Sequence, residues 1–307
     1  MQMYFNAFVF QIEIVSQVCF MPKSRSPLFK VISMATRARH SAEPDVVKVL
    51  AQGNYLFRGL DESWLAGYLK SGGTPDSPQS VQGVKLYASQ PIYTAFRRVG
   101  EPLNVLYAII AGGPVIVRST PLDRVIGVSY PSSCFGMRSL PFSHGLVCKA
   151  FPSLVEAYKT TDVLKIPLEA VQALYEDSQV FRDRYDLLFE LQEKFQYHLL
   201  NCSTYPPQAV GALLRALIYQ ERELGNQPQP DGTYVFDLPI DIIARASQLN
   251  HRTVEQVIKG MRQVGLLQSS NPKDASSDTV RVLDPEGLKE TYSATRDKVY
   301  WWPLRDK

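Results

Sequence analysis

A chain of 307 residues, 45% hydrophobic and 21% charged, can bury ordinary globular cores and has the length of about two domains. Its net charge of +3 excludes a polycationic character, so any nucleic-acid surface has to come from local clustering of cations. The four cysteines, Cys19, Cys134, Cys148 and Cys202, lie too far apart for a C-x-x-C pair, a zinc module or an iron–sulfur set, and they read as reduced packing thiols of a cytoplasmic protein.

The opening MQMYFNAFVFQIEIVSQVCF is apolar but interrupted by Glu13 and several amides, and no basic segment precedes it, so it reads as neither a signal peptide nor a membrane span. With the basic, small-residue-rich stretch after it, it forms an extension over residues 1–44, poorly ordered or a mis-assigned start. Met34 is the alternative first residue, which would leave residues 1–33 outside the native protein.

From Asp45 the pattern turns helical, with Val46, Val49, Leu50, Leu56, Leu60, Trp64, Leu65 and Leu69 on apolar faces and Gly72-Gly73 ending the run. Seven alternating segments follow: VKLYAS, IYTAFRR, NVLYAII, PVIVRS, RVIGVSY, LVEAYK and DVLKIP. Short strands at this spacing predict an antiparallel, jelly-roll-like β-roll, which with the preceding helix makes a sensory domain over residues 45–178.

A long helix is predicted over 179–205, stopped by Pro206-Pro207. Phe181, Tyr185, Leu188, Gln192, Phe195, Leu199 and Cys202 are spaced alternately by four and three, the period of a coiled-coil seam. The first six are assigned to a homodimer interface, with polar Gln192 setting register; the same pattern also fits a helix packed on its own domain.

The last domain, 206–292, precedes a tail over 293–307. Within DLPIDIIARASQLNHRTVEQVIKGMRQVGLLQ, a first helix from about Ile240 to Ser247 turns Ile243 and Ala244 inward. Gln248-Leu249-Asn250 makes a turn, and a second helix buries Val254, Val257, Ile258 and Met261. Its other face carries His251, Arg252, Glu255, Gln256, Lys259 and Arg262, side chains that can reach base edges or phosphates in a major groove. Gly265-Leu266-Leu267 then begins a strand paired with DTVRVLDP as a wing. The fold class is α+β: a β-roll, a dimerisation helix and a winged helix-turn-helix. There is no GxSxG, phosphate loop, paired carboxylate or His/Cys triad pattern, and the four scattered histidines form no metal set, so neither an enzyme nor a cofactor is expected.

Over roughly residues 54–288 the chain resembles the Crp/Fnr family of transcription regulators. The helix-turn-helix segment is similar in phase to the family signature through Ile243, Ala244, Thr253, Val254, Gly265 and Leu266. LFRGLDESWLAGYL, RRVGEPLNVLYAIIAGGPVIV, SCFGMRSL and VLDPEGLKE resemble, in order, the helix before the roll, its central strands, the entry to the effector pocket, and the closing strand and helix. The resemblance implies a homodimer bound to double-stranded DNA, responsive to a small molecule and meeting RNA polymerase.

The departures narrow this. Cyclic-nucleotide-binding members hold ribose with Gly-Glu and the cyclic phosphate with Arg-Ser. Here Gly136 survives, but Met137 or Arg138 stands at the glutamate position and Phe151-Pro152 at the Arg-Ser position, so an effector other than cAMP is implied. The FG-x-x-SL form resembles cyanobacterial nitrogen-control regulators, whose effector is 2-oxoglutarate. The pocket is assigned to Phe135, Gly136, Met137, Arg138, Ser139, Leu140 and Lys149, with Arg138 or Lys149 meeting such a dianion or, alternatively, Arg138 pointing to solvent. On the recognition helix, His251, Arg252 and Gln256 stand where family members carry an Arg-Glu…Arg trio, which implies a changed operator. Gln248 replaces the usual turn glycine. The competing reading is a ligand-binding or protein-interaction module that keeps the fold and has lost DNA readout.

Overall fold

Segments rich in valine and isoleucine fit a pleated, half-buried surface, and here they form two four-stranded antiparallel sheets. The architecture is that of a computed structural model, which describes residues 46–70, 81–89, 91–94, 105–119, 123–136, 153–200, 205–268, 278–293 and 299–303. The strands are β1 (Gln82–Leu86), β2 (Pro91–Thr94), β3 (Val105–Ala111), β4 (Val115–Ser119), β5 (Arg124–Ser129), β6 (Cys134–Gly136), β7 (Ser153–Ala157) and β8 (Thr161–Pro167). One sheet has the order β1-β8-β3-β6 and the other β2-β7-β4-β5. Ile109, Val115, Phe135, Val155 and Val163 cluster from both sheets as one small core. All seven predicted strands are present; β6, only three residues and buried throughout, has no alternation to betray it.

Helices cover the first sheet. They are α1 (Val46–Gly53), α2 (Glu62–Lys70), α3 (Leu168–Asp177) and α4 (Gln179–Leu200). The single helical run predicted from Asp45 is thus two helices, broken by turns at 55–59, and α3 is an addition to the expected elements. Leu106, Ala108 and Ile166 on the sheet pack with Leu50, Leu65 and Val171 from the helices. Buried Asn54 fastens this layer: its Nδ2 donates to the Ser133 carbonyl at 3.1 Å, and its Oδ1 accepts from the Leu56 N–H and the Cys134 thiol. Burial pushes that thiol up to about 12, so Cys134 stays protonated and acts as a packing group.

The seam assignment for α4 is corrected. Phe181, Tyr185 and Leu188 are fully buried among helices and sheet of their own chain, and Phe195 and Leu199 are buried in the core shared with the C-terminal half. Gln192, expected to set a dimer register, donates to the Cys134 carbonyl at 2.8 Å. A period of 3.5 identifies an apolar face, not the body it packs against; here that body is the rest of its own chain, the roll with its helices at one end and the C-terminal half at the other.

The C-terminal half runs α5 (Pro206–Glu223), β9 (Tyr234–Asp237), α6 (Ile240–Ser247), α7 (His251–Gln263), β10 (Thr279–Val282) and α8 (Pro285–Ser293). Pro206 and Pro207 open α5, where a missing N–H costs nothing. The expected wing pairing is present where it is described, with Leu267 bridged to Val282, the Gln268 N–H donating to the Arg281 carbonyl and the Leu283 N–H to the Leu266 carbonyl. β10 also pairs along its length with β9, Val280 opposite Phe236, a partner not expected. One core runs through this half and into the roll, so Ile116, Val125 and Val128 pack in the same cluster as Leu213, Ile243 and Val257. The expected extension over 1–44 lies outside the described residues. Among the described residues no helix is long and apolar enough to cross a membrane.

Candidate nucleic-acid interface and sensory cavity

The helix-turn-helix is built by local chemistry. Helix α6 ends at Gln248, whose φ of 55° and ψ of 37° place it in the left-handed region, and its N–H donates to the Ala244 carbonyl. This is the conformation for which glycine is the usual choice. Asn250 then caps α7, its side-chain oxygen accepting from the Thr253 N–H at 2.8 Å. Val254, Val257, Ile258 and Met261 are buried on one side of α7, as are Ile243 and Ala244 on α6.

The opposite side of α7 is open. Arg252, Glu255, Gln256 and Lys259 are exposed at i, i+3, i+4 and i+7, a single stripe along the helix. His251 is exposed too, and its Nε2 lies 3.3 Å from Asp241 Oδ1 at the start of α6. Arg262 is half-buried, and its Nε is covered without a hydrogen-bond partner, so it departs from the expected outer face. The structure therefore presents five of the six expected DNA-contacting side chains to solvent.

The roll grips this unit with polar contacts that sequence reading missed. Arg124, at the start of β5, is 6% exposed, and its guanidinium donates to the carbonyls of Leu199 and Leu200 at the end of α4 and of Ala246 at the end of α6. One cation so meets the negative ends of two helix dipoles. Lys159 Nζ bonds both carboxylate oxygens of Asp237, at 2.7 and 2.9 Å, and lies 3.5 Å from Asp278; these contacts raise its pKa, the Asp237 hydrogen bond most. The Tyr130 hydroxyl donates to the Asp237 carbonyl at 3.1 Å. Nothing in the sequence marks Arg124 or Lys159, because each pairs with residues about 75–120 positions away.

A cavity of about 80 Å³ lies where β5, β6, α4 and α5 meet. Of the expected effector residues, Phe135 and Gly136 line it, while Met137, Arg138, Ser139, Leu140 and Lys149 lie outside the described residues. Gly136 has a φ of +118°, and a Cβ there would stand 2.5 Å from the Val105 carbonyl oxygen, so the β3–β6 approach requires glycine. Phe135 stacks on Tyr107, ring centroids 4.9 Å apart. The far wall brings in Gln192, expected instead at a dimer seam, together with Gln196 from α4 and Gln220 from α5, which the sequence reading left unassigned. Among the described residues no group of three His, Cys, Asp or Glu side chains could hold a metal ion.

Together these features define an antiparallel β-roll joined through a long helix to a winged helix-turn-helix. No family model and no curated protein matches the sequence. Among solved structures, the chain is similar to FixK2 from Bradyrhizobium japonicum, at 15% identity and a TM-score of 0.48, covering 70% of this chain and 98% of that one. It is similar to a CooA mutant from Carboxydothermus hydrogenoformans, at 15% identity and a TM-score of 0.48, covering 75% and 95%. A transcriptional regulator of the Crp/Fnr family from Eubacterium rectale is similar at 13% identity and a TM-score of 0.44, covering 78% and 98%. These are likenesses of fold, and the functional reading rests on the residues of the chain itself.

Proposed function

We propose that the chain is a sequence-specific DNA-binding transcription regulator of Crp/Fnr type, acting in the cytoplasm as a homodimer under a small-molecule effector other than cAMP. The observation that carries this reading is the open stripe of Arg252, Glu255, Gln256 and Lys259 on a helix whose other face is fixed on α6. Arginine suits guanine edges, glutamine adenine edges and lysine phosphates. In this reading residues 45–178 sense, 179–205 dimerise, 206–292 bind DNA, RNA polymerase is a further partner, and the chain performs no catalysis.

Dimerisation is assigned to the outer face of α4, where Val180 and Tyr197 are 49% and 71% exposed and Leu187 is half-buried between them. A two-fold pair would set two α7 helices about 34 Å apart. Selection of bound duplexes from a random pool by the full chain tests the proposal. An inverted repeat with half-sites about one helical turn apart is expected, bound with an affinity that falls steeply with salt. A pool without enrichment, bound weakly or independently of salt, would leave the protein-interaction module instead.

A further inference from the structure

The cavity at the junction of roll, α4 and α5 has a wall whose chemistry selects among ligands. Phe135 and Phe189 supply apolar surface, and the polar groups are chiefly side-chain amides: Gln192, Gln196 and Gln220. The Gln192 amide is already used on the Cys134 carbonyl. The Gln196 Nε2 is buried with no hydrogen-bond partner, although a buried N–H donor without an acceptor is costly. Gln220 is 5% exposed and comes from the first helix of the DNA-binding half. Among the described residues, the charged side chain on this wall is the acidic Glu193, and the other polar groups are neutral.

We infer that this cavity binds a small uncharged ligand with a carbonyl-type acceptor, held by the orphan amide of Gln196 and touching Gln220, so that one molecule bridges the sensory half and the DNA-binding half. This rests on the reading of the cavity as the effector site. The size agrees: about 80 Å³ is just over half the roughly 150 Å³ of a cavity that admits benzene, so only a compact molecule fits without expansion. A ligand that bonds α4 and contacts α5 also bears on the spacing between long helix and DNA reader.

The test is thermal unfolding of the full chain with four probes: 2-pyrrolidinone and N-methylacetamide as neutral carbonyl acceptors, 2-oxoglutarate and cAMP as anions. Either neutral probe should raise Tm by roughly 2–5 °C at ten times its Kd, and the anions should leave it unchanged. Gln196→Leu should abolish the response. Should that variant unfold, the side-chain amide resonance of Gln196 in the wild-type chain should shift on adding 2-pyrrolidinone. Stabilisation by an anion, no response to either neutral probe, or a response that survives in Gln196→Leu overturns the inference. These readouts need no DNA, so a chain that binds DNA but ignores the neutral probes refutes the ligand class alone. A chain that binds the probes but no DNA refutes the regulator reading alone.

Discussion

Arg124 of the roll and Ala246 of the helix-turn-helix are joined by a hydrogen bond, Nε to carbonyl oxygen at 3.4 Å, and the same guanidinium reaches Leu199 and Leu200 at the end of α4. Three elements thus meet at one buried cation: the strand lining the cavity, the long helix and the first helix of the DNA reader. Charge-assisted hydrogen bonds are worth about 1.5–3 kcal/mol each. Arg124→Met should therefore cost about 2–4 kcal/mol in chemical denaturation. It should also let the winged unit unfold in a transition separate from the roll. A change below about 0.5 kcal/mol would mean the cation is an ornament on an apolar interface.

Gln248 tests the turn. A left-handed residue is easiest for glycine and hardest for a β-branched side chain. Gln248→Gly is expected to match or exceed the wild type by up to about 1 kcal/mol, whereas Gln248→Val should lose about 1–2 kcal/mol, as read by denaturant midpoints. The reverse ranking would show that the turn does not hold its φ of 55° in solution.

Glu221 gives a pH signature. Burial raises its carboxyl above the ordinary 4.5, more than the Asn226 hydrogen bond lowers it. A carboxyl with a raised folded pKa contributes its full stability below 4.5 and loses that contribution as pH rises through the folded value. Glu221→Gln keeps an acceptor for Asn226 and removes the buried charge. Its Tm should equal that of the wild type in acid and exceed it increasingly as pH rises above 4.5, levelling off once Glu221 is ionised in the folded chain. A difference independent of pH would point to packing rather than charge.

The α4 seam separates what could be read from what could not. The helix, its apolar face and the helix-turn-helix turn were legible, because they follow from spacing within about twenty residues and from Asn250 and Gln248 at helix ends. What lay against each face was not, because Phe181 and Leu188 meet residues such as Phe57 and Leu106, brought in by the topology of the roll. Gln196 and Gln220 were visible only as single amides on apolar helices. Their convergence on one cavity depends on how α4 and α5 pack.

That difference is measurable. Leu188→Asp places a charge in the core of one chain and should unfold it, or cost at least about 3 kcal/mol, rather than yield folded monomers. Val180→Asp with Tyr197→Asp should instead give folded monomers in sedimentation, since both side chains are exposed on the single chain. A folded, dimeric double mutant would move the interface off this face.

The most direct measurement compares Arg252→Ala and Lys259→Ala on the selected operator and on a scrambled duplex, each at two salt concentrations. Arg252 lies in the first turn of α7 and is expected to read a base. Its loss should cost about 1–3 kcal/mol on the operator and far less on the scrambled site. Lys259 lies two turns further on and is expected to meet phosphate. Its loss should weaken both duplexes alike and reduce the salt slope by about one. If neither substitution changes DNA binding, the open face of α7 is not a DNA reader and the central claim fails.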